Sequence, residues 1–255
     1  MGVSLDGPKE FHDENRLDTC GKGTYSRVFR ALQLLRRHGV ETNILAVVTA
    51  RTARHYGKVH GFFSRSGFLH QQYIPCLDPL DRPRGRDPWS LTPERMGEYL
   101  KTAFDRWYQD ILTGGAPQHR YFDNLLRMMA GQLPEACGMM GVCARQYVVE
   151  ADGSVYPCDF YVLDKYRLGN LNADTLADIE ARRREADFVR QSRLLPEECG
   201  ACRWYGLCRN GCWRDREQGR DGAAKNYYCP AYQEFFAYAW PKLEFVSRRM
   251  LDQNC

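Results

Sequence analysis

The sequence predicts an α/β chain: a first half of alternating strands and helices, followed by a small, cysteine-rich α+β region. Three observations predict it. Apolar runs with strand composition alternate with amphipathic helical patterns through about the first 133 residues. Beyond Pro134 the predicted elements become short. Of eleven cysteines, eight fall between Cys137 and Cys229.

Taken in order, Gly2 to Leu5 is a short strand closed by the turn signal Asp6-Gly7-Pro8. Thr24 is placed to cap a helix whose apolar positions Tyr25, Val28, Phe29, Leu32 and Leu35 follow the 3.6-residue period. Arg36, Arg37 and His38 suit the negative end of that helix, and Gly39 ends it. Asn43 to Thr49 is nearly continuous in apolar residues, as in a strand buried on both faces. A helix from about Arg54 to Arg65 turns Tyr56, Val59 and Phe63 inward, and Phe68 to Ile74 is a third strand. Strand–helix–strand alternation means parallel pairing through right-handed crossovers. A Pro-, Gly- and Asp-rich loop occupies Asp78 to Ser90, and helical patterns follow at Thr92 to Leu112 and His119 to Gly131. Gln146 to Glu150 and Ser154 to Tyr156, joined by Ala151-Asp152-Gly153, form a predicted hairpin. Charged helices cover Thr175 to Arg193, and an aromatic helix runs from Pro230 to Arg249. The domain partition expected is 1–133 and 134–255. A hydrophobic strand at Gly2 to Leu5 with no partner on its outer side is an aggregation liability, so the natural protein is expected to continue upstream of Met1.

With 255 residues, 44% hydrophobic and 27% charged, the chain can bury a core without staples. Its 36 basic and 32 acidic residues give a net charge of +4, well mixed, so neither nucleic acid nor a membrane surface is an expected partner. The longest apolar run, Phe235 to Trp240, is six residues, against the roughly 18 of a membrane span. No charged segment followed by an apolar one occupies residues 1–20, and the expected location is the cytoplasm.

The cysteines are spaced Cys137-x5-Cys143-x14-Cys158, then Cys199-x2-Cys202-x5-Cys208-x3-Cys212, with Cys229 after sixteen intervening residues. Eight thiolates at short spacings can saturate two four-coordinate metal sites. A disulfide framework conflicts with a reducing compartment. Structural zinc and iron–sulfur clusters both remain open on spacing, although none of the six histidines lies beyond His119, and zinc sites commonly include histidine.

Gly153-x4-Cys158, followed by the Cys-x2-Cys-x5-Cys-x3-Cys array and Cys229, resembles the SPASM domain, the auxiliary-cluster module of radical S-adenosylmethionine (SAM) enzymes that modify peptides. Val148 to Asp164 narrows the resemblance to the anaerobic sulfatase-maturating enzymes. So do Ser4-Leu-Asp-Gly-Pro8, Pro75-Cys-Leu-Asp-Pro79, Arg120-Tyr-Phe-Asp123 and Asn226-Tyr-Tyr-Cys229. The resemblance spans essentially the whole chain. It implies the C-terminal half of a radical SAM partial (β/α)6 barrel followed by a small α+β SPASM domain with two [4Fe-4S] clusters. It further implies oxidation of a sulfatase cysteine or serine to Cα-formylglycine, started by a 5′-deoxyadenosyl radical that takes hydrogen from the substrate Cβ. By position, Cys137, Cys143, Cys158 and Cys212 would hold one cluster, and Cys199, Cys202, Cys208 and Cys229 the other. The base that deprotonates the substrate falls on Asp159, and Ser4 and Leu77 fall where family members contact SAM. Arg16 is a candidate for the SAM carboxylate. Implied partners are a sulfatase polypeptide and a reducing donor such as flavodoxin or ferredoxin. Cys20, Cys76 and Cys255 match no ligand position, and the aromatic run Tyr227 to Trp240 is expected as core round the clusters.

The sequence departs from the family in one respect: no Cys-x3-Cys-x2-Cys occurs. That motif holds the SAM-cleaving third [4Fe-4S] cluster, so SAM and that cluster are expected only in a longer form, and this chain alone is not expected to cleave SAM. Two alternatives stand beside this reading. One is another SPASM enzyme that installs thioether or carbon–carbon crosslinks, against which Asp159 argues. The other is a cluster-bearing electron-transfer or peptide-binding module without its own SAM site.

Overall fold

A computed structural model describes residues 1–115, 118–216 and 223–252. The chain opens with strand β1 (Gly2–Ser4), helix α1 (Lys9–Asn15) and helix α2 (Tyr25–Arg37). Strand β2 (Asn43–Val48), helices α3 (Ala50–Arg54) and α4 (Tyr56–Arg65), and strand β3 (His70–Pro75) follow. Helix α5 (Pro93–Leu112), the two-residue strand β4 (Gln118–His119) and helix α6 (Arg120–Met129) complete this stretch. The strands pair in parallel in the order β1-β2-β3-β4, as helical crossovers require.

Local chemistry explains the boundaries. Thr92 accepts a hydrogen bond from the Arg95 N–H, and Pro93 takes the first position of α5, where its missing N–H costs nothing. The helix expected from about Arg54 to Arg65 is α4, Tyr56–Arg65; the short α3 before it is unexpected, and His55 separates the two at φ −110°, ψ 24°. Thr24 does not cap α2; its hydroxyl donates to the Arg16 carbonyl and meets His12 Nε2 at 3.0 Å. Strand β2 is fully buried on one face only: Ile44, Ala46 and Val48 are buried, while Asn43, Leu45 and Val47 are half-covered. Strand β4 escaped the sequence reading because two residues carry no periodicity. Beneath the sheet lies a core of Leu5, Phe11, Leu32, Ile44, Ala46, Val59, Phe63 and Phe68.

The second region opens with an antiparallel sheet of β5 (Val148–Val149), β6 (Ser154–Tyr156) and β7 (Gly169–Asn170). At the β5–β6 turn Gly153 has φ +84°, and a Cβ there would lie 2.5 Å from Asn172 Nδ2, so no other residue fits without a shift. Helices α7 (Leu176–Ala186), α8 (Phe188–Gln191), α9 (Glu197–Gly200) and α10 (Tyr205–Cys208) follow. Asp187, left-handed at φ +51°, separates α7 from α8. Val155, Leu168 and Ile179 form a small core. Beside it an aromatic box packs Trp213 at 5.5 Å from Tyr161 and 4.6 Å from Phe188.

The last helix, α11 (Cys229–Asp252), packs on α5. A Cβ on Gly97 would lie 3.7 Å from the Ala231 backbone, so the glycine permits the close crossing. Phe235 packs against Phe104 and Phe122 at 5.7 and 6.0 Å, and Asp105 accepts from Tyr238 Oη and Lys242 Nζ at 2.6 and 2.7 Å. The chain therefore divides into Met1–Gln132 with Tyr228–Cys255, and Leu133–Tyr227. This corrects the partition 1–133 and 134–255 at its C-terminal end. The aromatic residues of α11, expected round the cysteines, enter the first unit's core because that is where a helix face of matching apolarity awaits them. Among the described residues no helix is long and apolar enough to cross a membrane.

Two outcomes follow from this packing. Phe63 is 0% exposed, and Phe63→Ala should lower unfolding free energy by about 3–5 kcal/mol, read as a lower denaturant midpoint at unchanged slope. His119 stacks on Tyr73 and Phe122 with neither ring nitrogen hydrogen-bonded, and burial lowers its pKa to about 3. The neutral ring's contribution is complete above about pH 6.5 and is lost as pH falls from there towards 3, at up to about 1.4 kcal/mol per pH unit. His119→Leu should therefore flatten the acid limb of the stability curve; an unchanged limb refutes this role for the imidazole.

Candidate cluster site and cofactor-binding strand ends

Four of the predicted ligands come together within the second unit. The Cys143 thiol feels the charge of Cys137, Cys158 that of Cys143, and Cys212 that of both Cys143 and Cys158. Burial pushes the Cys143 thiol up, while its contact with Ser192 acts the other way. Burial likewise pushes Cys158 up to about 12, reinforced by the Asp159 carboxylate, to which its thiol donates at 3.3 Å. Cys212 is also raised to about 12, by burial first and then by Asp215. In the metal-free chain these groups are thiols, and metal uptake must displace their protons.

The ten cysteines of the described residues form no disulfides. Among the described residues no three His, Cys, Asp or Glu side chains converge on a single metal ion. Four neighbouring thiols with no histidine among them are the all-sulfur set that iron–sulfur clusters take. The donor set thus fits an iron–sulfur cluster.

Local geometry fixes the ligand-bearing segments. Gly141, between Cys137 and Cys143, has φ +73°, and a Cβ there would sit 2.2 Å from the Arg209 carbonyl oxygen. The Cys143 N–H donates to Ser192 Oγ at 2.9 Å. Between Cys208 and Cys212, Arg209, Asn210 and Gly211 are all left-handed, at φ +50°, +63° and +59°. Asn210, 2% exposed, secures that turn by donating to the Ala224 carbonyl and accepting from the Asn226 N–H. Arg216 is buried beneath it and donates to four backbone carbonyls. Sequence reasoning missed Arg216 and Asn210, because polar residues are usually exposed and nothing in their spacing marks them as buried.

Cys199 and Cys202 lie on one turn at α9, where the Cys202 N–H donates to the Cys199 carbonyl, and Cys208 ends α10. Cys229 opens α11 and is grouped with the first unit. Asp159 is exposed and starts a short 3-10 turn immediately after Cys158.

Ser4 and Leu77 lie at the carboxyl ends of parallel strands, where α/β folds bind ligands. Ser4 ends β1, exposed, and Leu77 follows β3, half-buried. Strand β2 lies between them, a separation of about 10 Å from the usual strand spacing. Asp6, just beyond β1, is 5% exposed and accepts from Arg16 Nε at 2.8 Å and from the Val47 N–H at 2.7 Å. Its own N–H donates to His12 Nδ1 at 3.3 Å, and burial lowers the His12 pKa. Asp6, read from sequence as a turn former, is thus the buried anchor of Arg16. Asp78 secures the loop beyond Leu77, accepting from the Gly85 N–H at 2.9 Å and from Ser90 Oγ. Cys76 is half-buried after β3, with its thiol raised by burial and by Asp78 and Asp6. Cys20 is exposed, and Cys255 lies outside the described residues.

A family model for the SPASM iron–sulfur cluster-binding domain matches residues 137–203. The cysteine-type anaerobic sulfatase-maturating enzyme of Clostridium perfringens is 48% identical over 251 residues, covering 98% of this chain and 68% of the relative. The serine-type enzyme of Bacteroides thetaiotaomicron is 30% identical over 271 residues, covering 100% of this chain and 65% of the relative. A solved structure described as native anSMEcpe with bound AdoMet and Cp18Cys peptide superposes with a TM-score of 0.90 at 47% identity, covering 98% of this chain and 69% of that one. The chain spans about two thirds of the length of these relatives. Sequence, fold and cysteine array together make it a member of the anaerobic sulfatase-maturating enzymes, radical SAM proteins that carry a SPASM domain.

Proposed function

We propose that the protein acts in the oxidation of a sulfatase cysteine or serine to Cα-formylglycine, with two [4Fe-4S] clusters held by this chain. The observation that carries this reading is the gathering of Cys137, Cys143, Cys158 and Cys212 next to the exposed carboxylate of Asp159. When bound, SAM and the clusters supply the one-electron chemistry, removal of hydrogen from the substrate Cβ and uptake of the remaining electron. This chain's own residues do the rest. Asp159 takes the proton from the substrate thiol or hydroxyl, and its position beside a ligating cysteine limits its movement. Its present partner, the Cys158 thiol proton, is given up when that sulfur binds iron, which leaves the carboxylate available for substrate. Ser4 and Leu77 contact SAM at the strand ends, and the Asp6–Arg16 pair orients the guanidinium at the same end of the sheet.

Cys199, Cys202, Cys208 and Cys229 hold the second cluster in this reading. The ligands of a third, SAM-cleaving cluster are not drawn from these residues, which contain no Cys-x3-Cys-x2-Cys. A reducing donor of the flavodoxin or ferredoxin type supplies electrons, and the reading assigns the protein to the cytoplasm, where thiols stay available for metal.

Anaerobic reconstitution should load about eight irons per chain with matching sulfide, as two four-iron clusters require. Stoichiometric zinc without visible absorbance overturns the cluster reading. In enzyme complete with its SAM-cleaving cluster, Asp159→Asn should lower formylglycine formation, followed by peptide mass spectrometry, by about 10²–10⁴-fold with iron content unchanged. Wild-type turnover in that variant removes Asp159 from the reaction.

A further inference from the structure

Arg216 is 7% exposed, and its guanidinium is spent entirely on backbone carbonyls. Nε donates to Asn210 at 3.0 Å, Nη1 to Ser192 at 2.7 Å, and Nη2 to Gly141 at 2.7 Å and Gly211 at 2.9 Å. These four acceptors solvate the charge but do not neutralise it. Among the described residues no carboxylate forms an ion pair with it, and a buried cation without a counter-anion is costly. Its acceptors Gly141 and Gly211 lie two residues from Cys143 and next to Cys212; burial lowers its pKa, and the nearby Cys143, Cys212 and Cys199 thiols and Tyr205 act the other way.

An iron–sulfur cluster on four thiolates is anionic and becomes more so on reduction, and net local charge is one of the determinants of its potential. We propose that Arg216 is the buried counter-cation of the cluster on Cys137, Cys143, Cys158 and Cys212, and that it raises that cluster's reduction potential. This inference rests on the cluster assignment made above. Arg216 also ties together the backbones of three segments, so loss of stability alone cannot distinguish a charge role from a structural one. The reduction potential can, because lysine keeps the charge and loses the fork of hydrogen bonds.

The test is an electron paramagnetic resonance redox titration of the anaerobically reconstituted full chain, with iron content measured in parallel. Arg216→Gln should lower the ratio of reduced to oxidised cluster about tenfold at a given solution potential, a shift of about 59 mV to more negative values. Arg216→Lys should melt at lower temperature yet titrate within about threefold of the wild-type ratio. Wild-type titration by a loaded Arg216→Gln overturns the proposal, as does an Arg216→Lys shift as large as that of Arg216→Gln. If Arg216→Gln takes up no iron, Arg216→Met is titrated in its place, with the same shift expected and the same wild-type result overturning the proposal. A wild-type chain that loads no iron defeats the cluster reading and this inference together, whereas loaded chains with invariant potentials defeat only this one.

Discussion

The cysteine-rich unit depends on one buried guanidinium. Arg216 gathers carbonyls from Gly141, Ser192, Asn210 and Gly211, which belong to three separate stretches of chain. Two of those stretches carry cysteines proposed as cluster ligands, and the third, through Ser192 Oγ, holds the Cys143 N–H. The loops that carry the cysteines are held by few regular elements of their own, and the aliphatic core beside them is the small cluster of Val155, Leu168 and Ile179. Hydrogen bonds to a charge are stronger than neutral ones, and four on one side chain leave the loops little freedom. The same charge suits a site that receives an anionic group.

The first unit solves a different problem. A parallel sheet must be covered, and helices α2 and α4 cover it with the aromatic and aliphatic side chains of one core. Helix α5 is covered in turn by α11, with Gly97 permitting close approach and Asp105 anchoring Tyr238 and Lys242. That packing leaves the carboxyl ends of the strands to the loops. There Asp6 ties its loop to the sheet through the Val47 N–H and to Arg16, while Asp78 closes its own loop through the Gly85 N–H and Ser90 Oγ. Ser4 lies two residues before Asp6 and Leu77 adjoins Asp78, so the loops that hold the acids also carry the residues proposed to contact SAM.

Proton and charge balance link the structure to the proposed chemistry. Burial keeps Cys158 and Cys212 protonated in the metal-free chain, and Asp159 accepts the Cys158 proton as a hydrogen bond. In the proposed function, metal uptake would exchange those protons for iron and free the Asp159 carboxylate for substrate.

By itself the sequence determined the periodic elements and the ligand spacing. Apolar runs placed β2 and β3 and a helical pattern placed α5, because those elements are long enough for a pattern to show. Eight cysteines at short intervals, with Gly153 before Cys158, identified the metal-binding region, because thiol spacing is written along the chain. Only the tertiary structure decided that β4 pairs with His70 and Gln71, since two residues have no pattern of their own. It alone assigned α11 to the first unit, because a helix's apolar face does not name its partner. It alone turned Asp6 from a turn former into the anchor of Arg16, and Arg216 from one charge among thirty-six into the buried centre of the cysteine-bearing loops. Burial of a polar group depends on which segments meet round it, and that is settled by contacts far apart in sequence.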